Sequence, residues 1–220
     1  MKIDRYARCL ALAFSVATLA ACGGGHEAGE VTGTVAVGAP VQGAIVYLRD
    51  AGGAVRYTQS DASGAFKVAG APEGALMVRC IGGQADGAPS ALALHGLVLD
   101  GRVINCTPLT ELALWRLLGT HPGVAFAAFD ASTAKALTAD TFAAAEATVL
   151  AGLAEGAEVD VDPAAAPQRW NRTPLHAGDA SDAHDAALDA LRQALTSQAA
   201  LDLMGEMVLR GICVADNACD

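Results

Sequence analysis

The sequence predicts an α+β protein in which a seven-stranded antiparallel β-sandwich is followed by a small helical bundle. Residues 31–106 contain short apolar runs separated by turn-forming residues, at a spacing that is typical of a sandwich. After Cys106 the apolar residues recur at the three- and four-residue intervals of helices. This change of periodicity predicts two parts, residues 31–106 and residues 107–220.

The N-terminal segment has the parts of an export signal in the usual order. Three basic residues lie within residues 2–8, and a charge-free run over residues 10–21 follows them. This run is shorter than the roughly 20 apolar residues that a membrane-spanning helix needs. It ends in Leu19-Ala-Ala-Cys22, which three glycines follow.

These residues resemble the lipobox of bacterial lipoproteins. The resemblance implies a signal peptide over residues 1–21, a diacylglycerol on Cys22 and a Gly-rich tether over residues 22–30. It also implies an exported protein anchored to the cell envelope. Gly23 stands where an Asp would favour retention in the inner membrane, so the outer membrane of a Gram-negative bacterium is expected. An ordinary signal peptide, cleaved near Ala21 and leaving a free Cys22, is the alternative.

The acidic charge balance argues against nucleic acid and anionic lipid as partners. The chain has 14 basic and 24 acidic residues and a formal charge of −10. Loss of residues 1–21 would leave 11 basic and 23 acidic residues. Nucleic acid is therefore not expected as a partner, because phosphate binding needs clustered Lys and Arg. Electrostatic docking on anionic lipid is disfavoured for the same reason.

Four cysteines remain after Cys9 and Cys22 are assigned to the signal peptide and the lipid. An even number in an oxidising compartment favours disulfides. We expect Cys80–Cys106 and Cys213–Cys219, because each pair lies within one segment, although three pairings are possible. A zinc site would need paired C-x-x-C spacings or nearby histidines, and neither pattern is present.

Seven strands are predicted in the first part. They lie at residues 31–37, 44–48, 55–60, 65–68, 76–81, 91–95 and 102–104. One turn between strands has a clear physical basis. Asp61 can cap the turn, Gly64 supplies a positive φ, and Phe66 points back into the core.

This first part resembles the carboxypeptidase regulatory-like domains of prealbumin (transthyretin-like) fold. The resemblance rests on Gly33-Thr-Val, on Gly43-Ala-Ile-Val-Tyr-Leu48 and on the Asp61–Phe66 turn, and it covers about a third of the chain. Such domains are typically non-catalytic accessories, so the resemblance implies a fold more than an activity.

Four helices are predicted after Cys106. They lie at residues 108–118 with Gly119 after the last turn, 138–153, 182–197 with Ser181 as N-cap, and 199–210. Trp115 is expected in the core of the bundle. Trp170, in a Pro-containing loop, is expected either to pack beneath that loop or to contact a sugar or protein.

The helical part resembles a group of proteobacterial lipoproteins that join a carboxypeptidase regulatory-like domain to a helical region. The matching segments are Thr107-Pro-Leu-Thr-Glu111, Asn171-Arg-Thr-Pro-Leu175 and Asp185-Ala-Ala-Leu-Asp-Ala-Leu191. The resemblance implies no established activity.

One polar cluster has side chains that can bind a divalent metal. It contains His176, Asp179, Asp182 and His184. The spacing matches no known ligand motif, and a capped helix start explains the same residues. No metal and no cofactor are therefore expected. Asp160 and Asp162 are likewise interpreted as a surface turn in preference to a calcium site.

Two functions remain, and the first is favoured. No serine lies in a G-x-S-x-G elbow, each cysteine has another assignment, and no glycine-rich phosphate loop is present. We expect a non-enzymatic envelope lipoprotein that binds a protein or glycan at the membrane surface. The alternative is a hydrolase or metal-dependent enzyme with its site between the two parts.

Overall fold

The chain is described by a computed structural model that covers residues 29–156, 170–179, 181–192, 195 and 197–216, without the side chains of 154–156 and 211–216. Within these ranges the protein is mixed α+β, as the sequence predicts. The expected signal peptide, Cys22 and most of the tether lie outside them, as do Asp160 and Asp162. No helix of the described part is both long and apolar enough to cross a bilayer.

Nine strands lie in the first part. They are β1 Val31–Val35, β2 Ile45–Asp50, β3 Val55–Gln59, β4 Ala65–Val68, β5 Leu76–Ile81, β6 Gln84–Ala85, β7 Ala88–Pro89, β8 Ala93–Val98 and β9 Val103–Cys106. Each of the seven predicted strands overlaps one of these. The two-residue strands β6 and β7 form a hairpin that the sequence did not predict, because two residues show no alternation.

The strands form three sheets. One has the order β3-β2-β5-β8 and is antiparallel throughout, one has the order β4-β1-β9, and β6-β7 is the third. β1 runs parallel to β9, which differs from the fully antiparallel arrangement expected. A parallel pair needs a long connection, and the chain from β2 to β8 supplies it. Alternation within a strand does not reveal the direction of its neighbour.

The parallel pairing of β1 with β9 explains why the Gly33-Thr-Val motif begins with a glycine. A Cβ at this position would overlap the backbone carbonyl oxygen of Ile104 on β9. Phe66, opposite Gly33 on β4, fills the space beside it and is buried. The absence of a side chain therefore allows three strands to pair closely at this point.

The two larger sheets are linked by a disulfide. Cys80 on β5 and Cys106 at the end of β9 are joined with an S–S distance of 2.04 Å and a Cα–Cα distance of 6.3 Å. Both cysteines are buried in one cluster with Val46, Leu48 and Phe66. Cys219 and the side chain of Cys213 lie outside the described residues, so their pairing remains a prediction.

Six helices follow. They are α1 Pro108–Leu118, α2 Pro122–Ala128, α3 Ala131–Ala136, α4 Ala139–Gly156, α5 Ala183–Leu191 and α6 Gln198–Asp216. The sequence did not predict α2 and α3, because seven and six residues are too few to show helical periodicity. Gly119 ends α1 in a left-handed conformation with φ of 64°.

The N-cap of α5 corrects the sequence analysis. Asp182, rather than Ser181, caps this helix, and its Oδ1 accepts hydrogen bonds from the backbone N–H of His184 at 2.9 Å and of Asp185 at 3.3 Å. The Ser181 hydroxyl instead donates to Asp179 at 2.7 Å. Serine and aspartate are equally good N-caps, so adjacent candidates cannot be ranked from sequence alone.

The helices pack directly on the four-stranded sheet. α1 contacts β8 and lies at the centre of the second part, between α4 and α6. Buried apolar side chains from both parts form one continuous cluster. Trp115 and Trp170 are both buried, so Trp170 packs beneath its loop and is not an exposed contact.

Candidate functional site

The outer face of the four-stranded sheet carries a row of polar and aromatic side chains. Tyr57 on β3 pairs in register with Tyr47 on β2, Tyr47 pairs with Arg79 on β5, and Arg79 pairs with His95 on β8. Because directly opposed residues project to the same side of a sheet, these four side chains form one line across all four strands. We call this line the cross-strand row.

The helices cover only half of this outer face. Met77 and Leu97, in the adjacent line on β5 and β8, are fully buried beneath α1 and α2. On β3 the face is open, since 76% of Tyr57 and 48% of Val55 are exposed, and the outward residues of β2 are partly exposed. We call this uncovered part the open face. It consists of Ile45, Tyr47, Arg49, Val55, Tyr57, Gln59 and Arg79.

The open face is basic in a strongly acidic protein. The register places no Asp or Glu on the outer side of these four strands. Arg49 and Arg79 form no ion pair with a described carboxylate, and each has a buried Nε without a hydrogen-bond partner. Five basic side chains elsewhere in the described part do pair with carboxylates, namely Arg56, Lys67, Arg172, Arg192 and Arg210.

Two shallow grooves lie along the cross-strand row. The first, of about 550 Å³, lies over the open face and is lined by Ile45, Tyr47, Tyr57, Thr58 and Gln59. The second, of about 670 Å³, lies where the sheet meets the helices. We call it the helix-side groove. Its lining includes Arg79, His95, His121, Gly123, Val124 and Gln198.

His95 is held by the first helical turn of α1. Glu111 Oε2 accepts from the His95 backbone N–H at 2.6 Å and lies 2.9 Å from His95 Nδ1. The Thr110 hydroxyl donates to the His95 carbonyl at 3.0 Å. Both side chains of the His95–Glu111 pair are buried, at 1% and 0% exposed. The pair therefore fixes the position of α1 against β8.

The second ring nitrogen of His95, Nε2, lies on the side of the ring away from Glu111. With Nδ1 facing a carboxylate, Nε2 is buried and has no partner in the described residues. The ring of His121 lies edge-on to it, at a centroid distance of 6.4 Å. A histidine oriented by a carboxylate in this way is a common general base. The lining of the helix-side groove contains no Ser or Cys that could act as a nucleophile beside it.

The Thr107–Glu111 motif acquires a structural role from these contacts. Thr107 is the N-cap of α1, and its side chain accepts from the Thr110 backbone N–H at 3.2 Å. Pro108 occupies the first turn, where its missing N–H costs nothing. The motif thus starts the helix and docks it on β8 through Thr110 and Glu111.

The four candidate metal ligands are placed in separate roles. His184 is buried, its Nε2 lies 3.1 Å from Thr107 Oγ1, and its ring stacks on Trp170 at 5.5 Å. Asp182 caps α5, Asp179 accepts from Ser181, and His176 is exposed with Nδ1 3.4 Å from Asp182. No three His, Cys, Asp or Glu side chains of the described part converge as a metal site.

Burial decides the charge state of His184. Removal of the ring from water lowers its pKa to about 3, although the nearby Asp182 carboxylate opposes this shift. The imidazole is therefore neutral at physiological pH. Burial also raises the pKa of Asp185, whose Oδ2 accepts from the Gly178 backbone N–H at 3.0 Å.

The turn motif lies at a different place in the fold. The Ser63 hydroxyl donates to Asp61 Oδ1 at 2.7 Å, and the backbone N–H groups of Ser63 and Ala65 donate to the same oxygen at 2.8 Å and 3.1 Å. These bonds, the hydroxyl bond foremost, hold the pKa of Asp61 below its usual range. Gly64 has φ of 76°, and Phe66 is buried. Asp61, Phe66 and His176 line a separate groove of about 680 Å³ along β1 and β4.

The segment that begins at Trp170 is held against β9 and α4 by buried polar contacts. Asn105 Nδ2 donates to the carbonyls of Trp170 at 2.7 Å and Thr173 at 2.9 Å. The Trp170 backbone N–H donates to Glu146 Oε1 at 2.7 Å, and Glu146 Oε2 is buried without a partner. Burial raises the pKa of Glu146 to about 7, against the opposing effects of this hydrogen bond and of Arg172.

Replacement of Glu146 by Gln is expected to change how stability depends on pH. The carboxyl has a pKa of about 7 when folded and an ordinary value of 4.5, so the folded state binds the proton more tightly. Protonation of Glu146 therefore adds about 3 kcal/mol to the free energy of unfolding. This stabilisation is fully present below pH 4.5 and is lost as the pH rises through 7. Glu146→Gln cannot ionise, so its unfolding free energy relative to wild type should rise by that amount between pH 4 and pH 8.

Urea unfolding of both proteins at several pH values measures this difference. The pH dependence that the buried His184 adds is present in both proteins and cancels in the comparison. A constant difference across this range would contradict the buried, protonated state of Glu146.

The comparisons with known proteins add no assignment. No protein-family model matches the chain, and no curated protein matches it significantly.

The sequence analysis missed the residues of the open face. Tyr47 and Tyr57 were placed only within predicted strands, and neither Arg79 nor His95 was singled out. A signal was present, because Tyr47 and Arg49 alternate with the buried Val46 and Leu48 on β2. What the alternation could not show is which strands lie side by side, and so which outward residues form a row.

Proposed function

We propose that the protein is a non-enzymatic, lipid-anchored envelope protein that binds an envelope glycan or protein through its open face. The observation that carries this proposal is the exposed Tyr57, which lies beside Tyr47 and two arginines that form no ion pair with a described carboxylate. Tyrosine and arginine are enriched in binding surfaces, since each offers a large contact area together with polar atoms. The helices leave this half of the sheet uncovered.

We also propose that the sheets of three and four strands form one seven-stranded sandwich of prealbumin type. The Cys80–Cys106 disulfide joins the two sheets, and their inner side chains belong to one buried cluster. The Asp61–Phe66 turn has the conformation that the resemblance implies. These observations support the accessory, non-catalytic role that such domains typically have.

Anchoring through Cys22 is the part of the proposal that rests on sequence. The full-length protein is expected in the detergent phase of a Triton X-114 partition, with the mass of a diacylglycerol on residue 22. Cys22→Ala should lose the lipid mass and move out of the detergent phase, because lipid chains supply the membrane affinity. Cys9→Ala, in the expected signal peptide, should change neither. Unchanged mass and partition in Cys22→Ala would contradict the proposal.

Binding through the open face is tested with the detergent-extracted full-length protein. Envelope protein and carbohydrate that co-purify with wild type should be strongly reduced with Tyr57→Ser. Leu203→Ser is the matched control, since Leu203 on α6 is 59% exposed and lines neither groove of the cross-strand row. Equal recovery with Tyr57→Ser and with wild type would rule out this face as the binding surface.

A second candidate, a hydrolase, is favoured by one observation. The buried His95–Glu111 pair leaves His95 Nε2 unpartnered at the helix-side groove, which lies between the sheet and the helices. There His95 would take a proton from an attacking water. For this candidate, hydrolysis of nitrophenyl esters by the pure protein should fall at least tenfold in His95→Gln. Equal rates with wild type and variant would eliminate it. Among the described residues nothing favours a metal-dependent enzyme.

A further inference from the structure

We infer that the ligand of the open face is an acidic glycan, whose carboxylates bind Arg49 and Arg79 and whose sugar rings stack on Tyr47 and Tyr57. This inference rests on the proposed function and names the chemistry of its ligand. It is carried by two guanidinium groups, unpaired with any described carboxylate, which lie around the exposed Tyr57 and the half-buried Tyr47.

The charge distribution selects an anionic ligand at this place. The formal charge of the chain is −10, so an anion is repelled by most of the surface. The outer side of the four strands carries Arg49 and Arg79 and no carboxylate. Elsewhere in the described part, basic side chains are mostly neutralised by acidic neighbours. An anion therefore gains from binding on the open face.

The position of the two arginines defines two binding points around Tyr47. Arg79 lies directly opposite Tyr47 on β5, about 5 Å away between Cβ atoms. Arg49 lies two residues further along β2 on the same side, about 7 Å from Tyr47. Because each Nε is buried, the outer nitrogens of the guanidinium groups remain as donors for a ligand. Carboxylates accept such hydrogen bonds in pairs.

The aromatic pair favours sugar rings over a peptide. Tyr47 and Tyr57 are direct cross-strand partners, and Ile45 and Val55 extend the apolar surface beside them. The groove above them is shallow and has the polar side chains of Thr58 and Gln59 at its edge. The flat apolar side of a sugar ring can stack here while its hydroxyls bond to the edge. Peptides are usually held by pairing with an edge strand or by side-chain pockets, whereas the residues of the open face lie on the flat side of the sheet and line only a shallow groove.

Binding of defined probes to the full-length, detergent-solubilised protein tests the inference. The probes are oligogalacturonate, its fully methyl-esterified form, which keeps the rings and removes the charge, and polyglutamate of similar length. Oligogalacturonate should bind, and its affinity should fall as salt is added. Its affinity should also fall about tenfold in Arg79→Gln and in Arg49→Gln, because each loses a charge-assisted hydrogen bond. Arg210→Gln, an exposed control with the same charge change, should bind like wild type.

The other outcomes separate this inference from the proposed function. Equal binding of the methyl ester, or loss of binding in Arg210→Gln equal to that in Arg79→Gln, would overturn the role of the two arginines. Preferential binding of polyglutamate would make the ligand an acidic peptide and would overturn the glycan. If no probe binds while Tyr57→Ser still reduces recovery of envelope material, the inference fails and the proposed function stands. If that recovery is also unchanged, both fail.

Discussion

Glu111→Ala is expected to lower the free energy of unfolding by about 3–5 kcal/mol, the usual cost when one partner is removed from a buried pair. Glu111 is fully buried and is the acceptor for both the backbone N–H and the Nδ1 of His95. Its removal leaves two buried donors without an acceptor, and each unsatisfied donor costs free energy. The contact between α1 and β8 depends on these bonds, so the helical part should lose its docking on the sheet.

Urea denaturation followed by circular dichroism measures this effect. Glu206→Ala is the matched control, because Glu206 lies on α6 with 52% of its side chain exposed and pairs only with Arg210. This variant should lose no more than about 0.5 kcal/mol. A loss below 1 kcal/mol in Glu111→Ala would show that the His95–Glu111 pair does not hold the two parts together.

Removal of the Cys80–Cys106 disulfide is the second large effect expected. The bond closes a loop with a sequence separation of 26 residues. By the loop-closure argument, the double variant Cys80→Ala/Cys106→Ala should lose about 3–4 kcal/mol. Because both sulfurs are buried between the sheets, reagents for disulfides should not reach them in the folded protein.

Chemical denaturation of the double variant and of wild type gives the size of this effect. Mass spectrometry of wild type, unfolded in denaturant and alkylated before and after reduction, shows whether the bond forms in the cell envelope. A loss of less than 1 kcal/mol, or full alkylation without reduction, would contradict a stabilising disulfide between the sheets.

Much of the fold could be predicted because its elements obey local rules. Strands such as β2 and β5 have apolar runs bounded by glycine turns, and α1 has its N-cap Thr107 and its C-terminal Gly119. Proximity in sequence favoured the Cys80–Cys106 pair. The short helices α2 and α3 and the parallel β1–β9 pair could not be predicted, since none of them leaves a periodic or directional signal in the chain.

The candidate site was far less predictable than the fold. The cross-strand row brings together residues 47, 57, 79 and 95, which come from four strands and depend on strand order and register. The candidate metal ligands were chosen because they are close in sequence, namely His176, Asp179, Asp182 and His184. In the structure they form turns, a helix cap and core contacts instead. Closeness in sequence therefore does not predict a site whose residues are brought together by strand pairing.

We propose that the open face contacts a ligand in the envelope. Photo-crosslinking in cells tests it most directly, with p-benzoylphenylalanine at position 57 and, as the control, at the exposed position 148 on α4. A discrete crosslinked product, sensitive to enzymes that cleave acidic glycans, is expected from position 57, and no such product is expected from position 148. The same products from both positions, or no product from position 57 in an abundant and lipidated protein, would contradict it.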